Sequence, residues 1–212
     1  GIADRALRRD VKQGDEVVVV GNAPAGTRSF AELLASGDAE LEAEQTCKDD
    51  AALWLYSSGS TGFPKGCVHL HHDMVVCSDL YGDGVLELRQ TDRCFSVAKL
   101  FFAYGLGNAL TFPMSVGATT VLLPLRPTPA DVFGVLRKFQ PTIFYGVPTL
   151  YASLLADPAR PKRSELKLRV CTSAGEALPA EIGKRWTEEY GCEILDGIGS
   201  TEMLHIFLSN RP

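Results

Sequence analysis

Along most of this chain, apolar runs of strand length alternate with segments of helix length, joined by short connections. "EVVVVG" (Glu16–Gly21) reads as a short buried strand. Ser29 and Glu32 have capping-box spacing for a helix that runs to Ala35 and ends at Gly37. "AALWLY" is the next strand, and His72–Tyr81 is a helix closed by "GDG". Further on, Thr128 can cap a helix with Pro129 in its first turn and Asp131 at its positive end. Val132, Leu136 and Phe139 repeat on one face of it, and Gln140 with Pro141 stops it. A buried strand at Thr142–Val147 leads into a helix opening at Pro148. "LKLRVCTSAG" is a strand entering a glycine turn, then comes a helix with Pro179 near its start and Gly191 past its end, then the strand "CEILDG". This alternation predicts an α/β fold of largely parallel sheets flanked by helices. In such folds ligands bind beyond the carboxyl ends of the strands. The loops rich in glycine and hydroxyls, Ser57–Gly66, Ser173–Glu176 and Gly197–Glu202, each follow a strand, so they are expected to gather at one edge.

Composition narrows the partners. A net charge of −5 with no basic cluster argues against nucleic acid, and 45% hydrophobic residues suffice for a sizeable core. Cys47, Cys67, Cys77, Cys94, Cys171 and Cys192 have irregular spacing and no C-x-x-C pair, which reads as reduced thiols in a cytoplasmic protein. The N-terminal "GIADRALRRD" has no apolar signal region, and "AELEAEQTCKDD" is an acidic, solvated connector. Residues 100–125 carry no charge and are long enough to span a bilayer. Gly105, Gly107, Asn108, Pro113, Gly117 and Pro124 interrupt the run, so the expectation is a buried helix followed by a buried strand, with no membrane partner.

The stretch "YSSGSTGFPKG" (Tyr56–Gly66) concentrates serine and threonine hydroxyls, three glycines and Lys65 directly after a strand. Backbone N–H groups and hydroxyls suit phosphate oxygens, glycine permits close approach, and lysine adds a mobile positive charge. The loop fits neither G-x-x-x-x-G-K-[ST] nor G-x-G-x-x-G. Composition favours phosphate binding here and leaves a plain surface loop open.

Three motifs together carry a resemblance: "YSSGSTGFPKG", "SAGEALP" (Ser173–Pro179) and "DGIGSTE" (Asp196–Glu202). In this order they resemble the adenylate-forming superfamily of acyl-CoA synthetases, adenylation domains and luciferases. "AKLFFAYGLGNALTFPMSVGAT" and "QPTIFYGVPTLYASLLA" are similar to its benzoate- and hydroxybenzoate-CoA ligases. The resemblance implies that Ser57, Ser58, Gly59, Ser60, Thr61, Gly62 and Lys65 hold the β- and γ-phosphates of ATP. It sets Gly175 and Glu176 on one side of the adenine and Asp196, Gly197 and Ile198 on the other. Relatives often carry an aromatic ring where this chain has Ile198, which implies weaker stacking. Thr201 is the implied α-phosphate contact and Glu202 the implied Mg2+ ligand, with Lys65, Thr201 and Glu202 as the catalytic set. No nucleophilic side chain is needed, because a substrate carboxylate attacks the α-phosphorus and coenzyme A's thiol then attacks the acyl-adenylate.

For the acyl group, the resemblance points to Phe102, Ala103, Tyr104, Gly146 and Ile198. Aromatic runs such as "KLFFAYG" are otherwise core packing as often as binding sites. His205, four residues after Thr201, is placed on a helix following the loop, where it could close the pocket on an aryl ring. Flat walls suit an aryl acid better than a long acyl chain. "HLHH" (His69, His71, His72) lacks evident further ligands for a metal and reads as a strand entering a helix.

The expected organisation is a partial lead-in segment at 1–50 and an ATP- and acyl-binding core at 51–212. The small C-terminal domain of the family, with its catalytic lysine, is expected to be absent. Such a piece is expected to have little ligase activity alone and to self-associate through surfaces its missing flanks would cover. Two alternatives stand beside an aryl-acid CoA ligase: an adenylation module loading a carrier protein, and a non-catalytic nucleotide-binding domain.

Overall fold

The computed structural model describes residues 17–57 and 62–211. By contacts, the chain divides into two compact units, residues 1–45 and 46–212. In the first, two-residue strands β1 (Val18–Val19) and β2 (Arg28–Ser29) pair in parallel, and α1 (Phe30–Ser36) follows. Ser29 caps α1 by accepting the Glu32 amide, and Gly37 ends it. The strand expected at Glu16–Gly21 shrinks to two residues and is not buried: Val18 is 40% and Val20 80% exposed. Among the described residues of this unit, a two-residue ladder and a seven-residue helix offer too little apolar surface to cover the valines.

The second unit begins with a hairpin. β3 (Ala51–Ser57) and β4 (Lys65–Leu70) pair antiparallel, with Ser57 opposite Lys65. This ladder is separate from the main sheet, so the phosphate-loop candidate does not leave a parallel strand as expected. The physical reason is the length of the connection: so few residues can turn a chain back but cannot carry a parallel crossover. α2 (His71–Cys77) follows and continues into a π-helical turn, Ser78–Asp83.

The main sheet has the order β10-β9-β8-β7-β5-β6. Its strands are β5 (Arg93–Ser96), β6 (Thr119–Val121), β7 (Ile143–Gly146), β8 (Val170–Ala174), β9 (Ile194–Gly199) and β10 (Ile206–Ser209). All neighbours are parallel except β10, which runs antiparallel along β9. Side chains alternate faces along each strand, and two cores result. Phe95, Phe144 and Cys171 pack with Val132, Leu136, Tyr151 and Trp186 on one face. Cys94, Ile143 and Tyr145 pack with Phe112 and Tyr81 on the other. The first face is covered by α5 (Pro129–Phe139), α6 (Pro148–Ala156) and α7 (Ala180–Tyr190). Thr128 caps α5 through the Asp131 amide, and α5 ends where Gln140 turns to φ +50°. α7 stops at Gly191, also left-handed.

The uncharged run at 100–125 forms α3 (Ala103–Leu106), a π-helical turn (Gly107–Thr111), α4 (Phe112–Val116) and then β6. Among the described residues no helix is long and apolar enough to cross a membrane.

The amino edge of the sheet is clamped by three residues, each standing immediately before its strand. Asp92 Oδ1 accepts from Thr142 Oγ1 at 2.7 Å and Arg169 Nε at 2.9 Å; its Oδ2 accepts from Arg169 Nη2 at 2.5 Å and the Arg89 amide at 2.8 Å. Burial pushes the Asp92 carboxyl up, but Arg169, Thr142 and the Arg89 amide outweigh it and hold it below the usual carboxylate range.

Candidate active site

At the opposite, carboxyl edge, β8 runs into Gly175 (φ +92°) and β9 into the turn that leads back along β10. Between them lies a cavity of about 200 Å3 lined by Phe102, Ala103, Tyr104, Ala174, Gly175, Gly199, Ser200, Thr201, His205 and Ile206. Residues from distant parts of the sequence therefore meet here. Phe102, Ala103 and Tyr104 enter from the start of α3, Gly175 from the end of β8, and Thr201 and His205 from the β9–β10 turn.

His205 is not on a helix. The turn after Gly199 goes straight into an antiparallel strand, because β10 completes the sheet edge by pairing with β9. The expectation that it closes the pocket is met by a different route. His205 is 2% exposed, its ring packs edge-on against Phe112 at 4.5 Å, and Tyr104 lies 5.5 Å away. Nε2 donates to Asn108 Oδ1 at 3.0 Å. Burial lowers its pKa to about 3, so the imidazole is neutral. A Cβ on Gly107 would stand 2.5 Å from the His205 ring, so only glycine in that π-helical turn lets the histidine lie this close. The Tyr104 hydroxyl bonds Thr172 Oγ1 at 2.5 Å and donates to the Gly146 carbonyl at 3.3 Å. Sequence reasoning passed over Asn108 and Thr172. The only signal for Asn108 was an amide inside a long uncharged run.

Other expected site residues stand apart from this cavity. Gly146, at the end of β7, does not line it. Tyr151 fills the space beside it, with ring atoms 2.6 Å from where a Cβ would stand, so packing explains this glycine. Ile198 is 60% exposed on β9 and also lies off the cavity lining. Asp196 Oδ2 accepts the Leu178 amide at 3.3 Å, tying the loop after Gly175 to β9; Asp196 Oδ1 is buried without a partner. Gly197 is buried beneath Ile206, and Glu176 is exposed. Ser57 and Lys65 face each other across the end of the hairpin, and Gly62 adopts φ +131°. Ser58, Gly59, Ser60 and Thr61 lie outside the described residues.

Thr201 and Glu202 are adjacent in sequence but face different spaces. Glu202 lines a second, larger groove of about 640 Å3 together with His69, Asp73 and apolar residues of α2 and β10. Its carboxyl is held below the usual range, mainly by a hydrogen bond to its own backbone amide, with help from Ser200, Cys67 and His69. Two of the three "HLHH" histidines are engaged with carboxylates: His69 with Asp73, and His72 with both Asp49 and Asp73. All six cysteines are free.

Comparison with known proteins gives one consistent result. Residues 3–212 match the family described as AMP-binding enzyme. The chain is 61% identical over 197 residues to the benzoate–CoA ligase of Thauera aromatica, a match covering 93% of this chain and 37% of that protein. The crystal structure of a benzoate CoA ligase from Burkholderia xenovorans LB400 superposes with a TM-score of 0.87 at 50% identity, over 98% of this chain and 40% of that one. The anthranilate CoA ligase AuaEII, solved in complex with anthranoyl-AMP, gives a TM-score of 0.89 at 41% identity with the same coverage. The chain thus spans about two fifths of the length of these relatives.

Proposed function

This chain belongs to the AMP-binding enzyme family, and on that premise we propose that it is the nucleotide- and acyl-binding core of an aryl-acid CoA ligase. The reaction is activation of benzoate or a substituted benzoate by ATP, followed by acyl transfer to coenzyme A. The observation that carries the proposal is the shared cavity: the aromatic pair Phe102 and Tyr104, with Ala103 and His205, opens beside Gly175 and Thr201. An apolar cavity of about 150 Å3 is known to hold one benzene. A space of about 200 Å3 therefore suits a single-ring acid and is too small for a long acyl chain.

In this reading the aryl ring lies against Tyr104 and the neutral His205, and its carboxylate points toward Thr201. A carboxylate oxygen bonds the α-phosphorus as the bond to the bridging oxygen breaks, and pyrophosphate leaves. Charge grows on the phosphoryl oxygens, so fixed donors there lower the barrier. Thr201 supplies one at the α-phosphate. Ser57, Ser58, Gly59, Ser60, Thr61, Gly62 and Lys65 hold the leaving β- and γ-phosphates. Gly175, Glu176, Asp196, Gly197 and Ile198 border the adenine. Glu202 fits a magnesium ion, since its carboxylate is ionised, exposed and unpaired with any Lys or Arg among the described residues. Magnesium supplies charge neutralisation on the phosphates and needs few protein ligands. His205, neutral and buried, shapes the ring site and takes no proton. The free thiols support a reducing, cytoplasmic setting.

The test is equilibrium binding to this chain of ATP, AMP and a non-hydrolysable benzoyl-adenylate analogue. The analogue should bind at least about tenfold more tightly than AMP, because it occupies the ring cavity and the neighbouring nucleotide groups together. Equal, weak binding of every nucleotide would overturn the acyl-site reading.

A further inference from the structure

The "HLHH" cluster finds no part in the chemistry above, yet one of its histidines is among the most buried polar residues of the molecule. His69 is 3% exposed. Its Nε2 donates to the backbone carbonyl of Thr201 at 2.8 Å, across 132 positions of sequence. Its Nδ1 lies 3.3 Å from Asp73 Oδ2, and the same oxygen accepts the Leu70 amide at 2.9 Å. Asp73 Oδ1 is in turn 3.1 Å from His72 Nε2. The ring is therefore gripped from behind by the first turn of α2 and reaches forward to the turn that carries Thr201 and Glu202. A second link runs in parallel, from Cys77 Sγ on α2 to the Met203 carbonyl at 3.7 Å.

Strand geometry gives this contact its meaning. Residues two apart on a strand share a face, so Lys65, Cys67 and His69 of β4 point the same way. Lys65 is four residues from His69, roughly 13 Å along the strand. Cys67, between them, helps hold the Glu202 carboxyl below its usual range. One face of β4 thus runs from the phosphate-loop lysine to the residue holding Thr201. A bond to the Thr201 carbonyl fixes the plane of the Thr201–Glu202 peptide, and with it the directions of both side chains. Backbone–backbone bonding of this turn consists of the Leu204 amide on the same carbonyl at 3.2 Å and a long contact from Ser200 to His205.

We propose that His69 is a positioning residue for nucleotide binding: held by Asp73, it locks the turn carrying Thr201 and Glu202 to the strand that leaves the phosphate loop. Lys65, Thr201 and Glu202 then meet one triphosphate as a preset group. This rests on the reading above that these three residues contact ATP.

The experiment compares His69→Ala and His69→Gln with a bystander, His71→Ala, whose ring makes no hydrogen bond among the described residues. Each chain is titrated with magnesium-ATP and with adenosine, which has no phosphates. His69→Ala should weaken magnesium-ATP binding about tenfold and leave adenosine unchanged. His69→Gln, whose amide can still donate to the carbonyl, should recover part of the loss, and His71→Ala should match the unaltered chain. Hydrogen exchange without nucleotide should quicken in the amides of residues 200–204 of His69→Ala. An ATP affinity within twofold of the unaltered chain, or equal losses for ATP and adenosine, overturns the proposal. If the unaltered chain binds no magnesium-ATP, it is the nucleotide reading that fails. The exchange rates then decide the lock by themselves, and unchanged exchange in that turn overturns it.

Discussion

The two edges of the main sheet are built from similar residues to opposite ends. At the amino edge, Asp92, Thr142 and Arg169 precede three neighbouring strands and satisfy one another: both Asp92 oxygens have two partners each. Arg169 also donates to the carbonyls of Leu86 and Glu87. At the carboxyl edge, buried polar atoms lack partners among the described residues: Ser173 Oγ, Asp196 Oδ1, His205 Nδ1 and Asn108 Nδ2. An unmade hydrogen bond in the interior costs about 1–3 kcal/mol. Of these four residues only His205 lines the cavity, and Asn108 bonds it through its other amide atom. The contrast separates an edge that holds the strands together from an edge where polar groups are left available.

The largest test of this contrast is at the amino edge. Arg169→Met strands the buried Asp92 carboxylate without its cation. Breaking a buried pair in this way should cost about 3–5 kcal/mol in denaturant unfolding. Ligand affinity of the remaining folded protein should hold, because the clamp lies at the far end of the strands from the cavity. A loss under about 1 kcal/mol would mean the clamp does not hold the sheet.

Acid should distinguish the edges by where stability is lost. His205 has its folded pKa depressed to about 3, so the unfolded chain binds its proton first as pH falls. Its contribution is complete above about pH 6.5 and declines on the way down, by about 2–3 kcal/mol near pH 4.5. Asp92 is also depressed, from a lower ordinary value, so its contribution begins to fall only near pH 4. Unfolding measured against pH should therefore show a carboxyl-edge slope at mildly acid pH that His205→Gln removes and Arg169→Met leaves in place. Identical slopes in all three chains would refute the separation.

Much of the carboxyl edge was legible because its signals are local. Glycine turns, helix caps and the strand–helix alternation lie within a few residues of one another, as at Thr128–Asp131 and Gly191. The motifs around Ser57, Gly175 and Thr201 were also recognisable as short strings. What escaped depends on long-range packing. The Asp92–Thr142–Arg169 clamp joins residues far apart in sequence, and no single-chain pattern marks them. His69 and Asn108 take their roles from partners 132 and 97 positions away. The missed hairpin has another cause. Strand type was read correctly at "AALWLY", but the direction of the following strand was decided by the length of the loop. His205 was expected on a helix because a turn after a strand in such folds usually opens one, whereas here β10 pairs with β9 first.

The smallest effect sharpens the comparison most. Ser173 lies on β8 directly opposite Asp196 on β9, and its hydroxyl is fully buried with no partner among the described residues. Replacing a bonded hydroxyl by a methyl group normally destabilises, because a partner is left behind. At Ser173 there is no partner to strand, and the change removes a desolvated polar atom from a close-packed strand. Ser173→Ala should therefore be neutral or stabilising, within about 1 kcal/mol. Thr142→Ala is the matched control at the amino edge, since it removes a hydroxyl that donates to Asp92 and caps the Arg93 amide. That change should cost about 1–3 kcal/mol by the same measurement. Two hydroxyl deletions on neighbouring strands of one sheet should then differ in sign or nearly so. Equal losses would show that the bare atoms at the carboxyl edge are as well satisfied as those at the other.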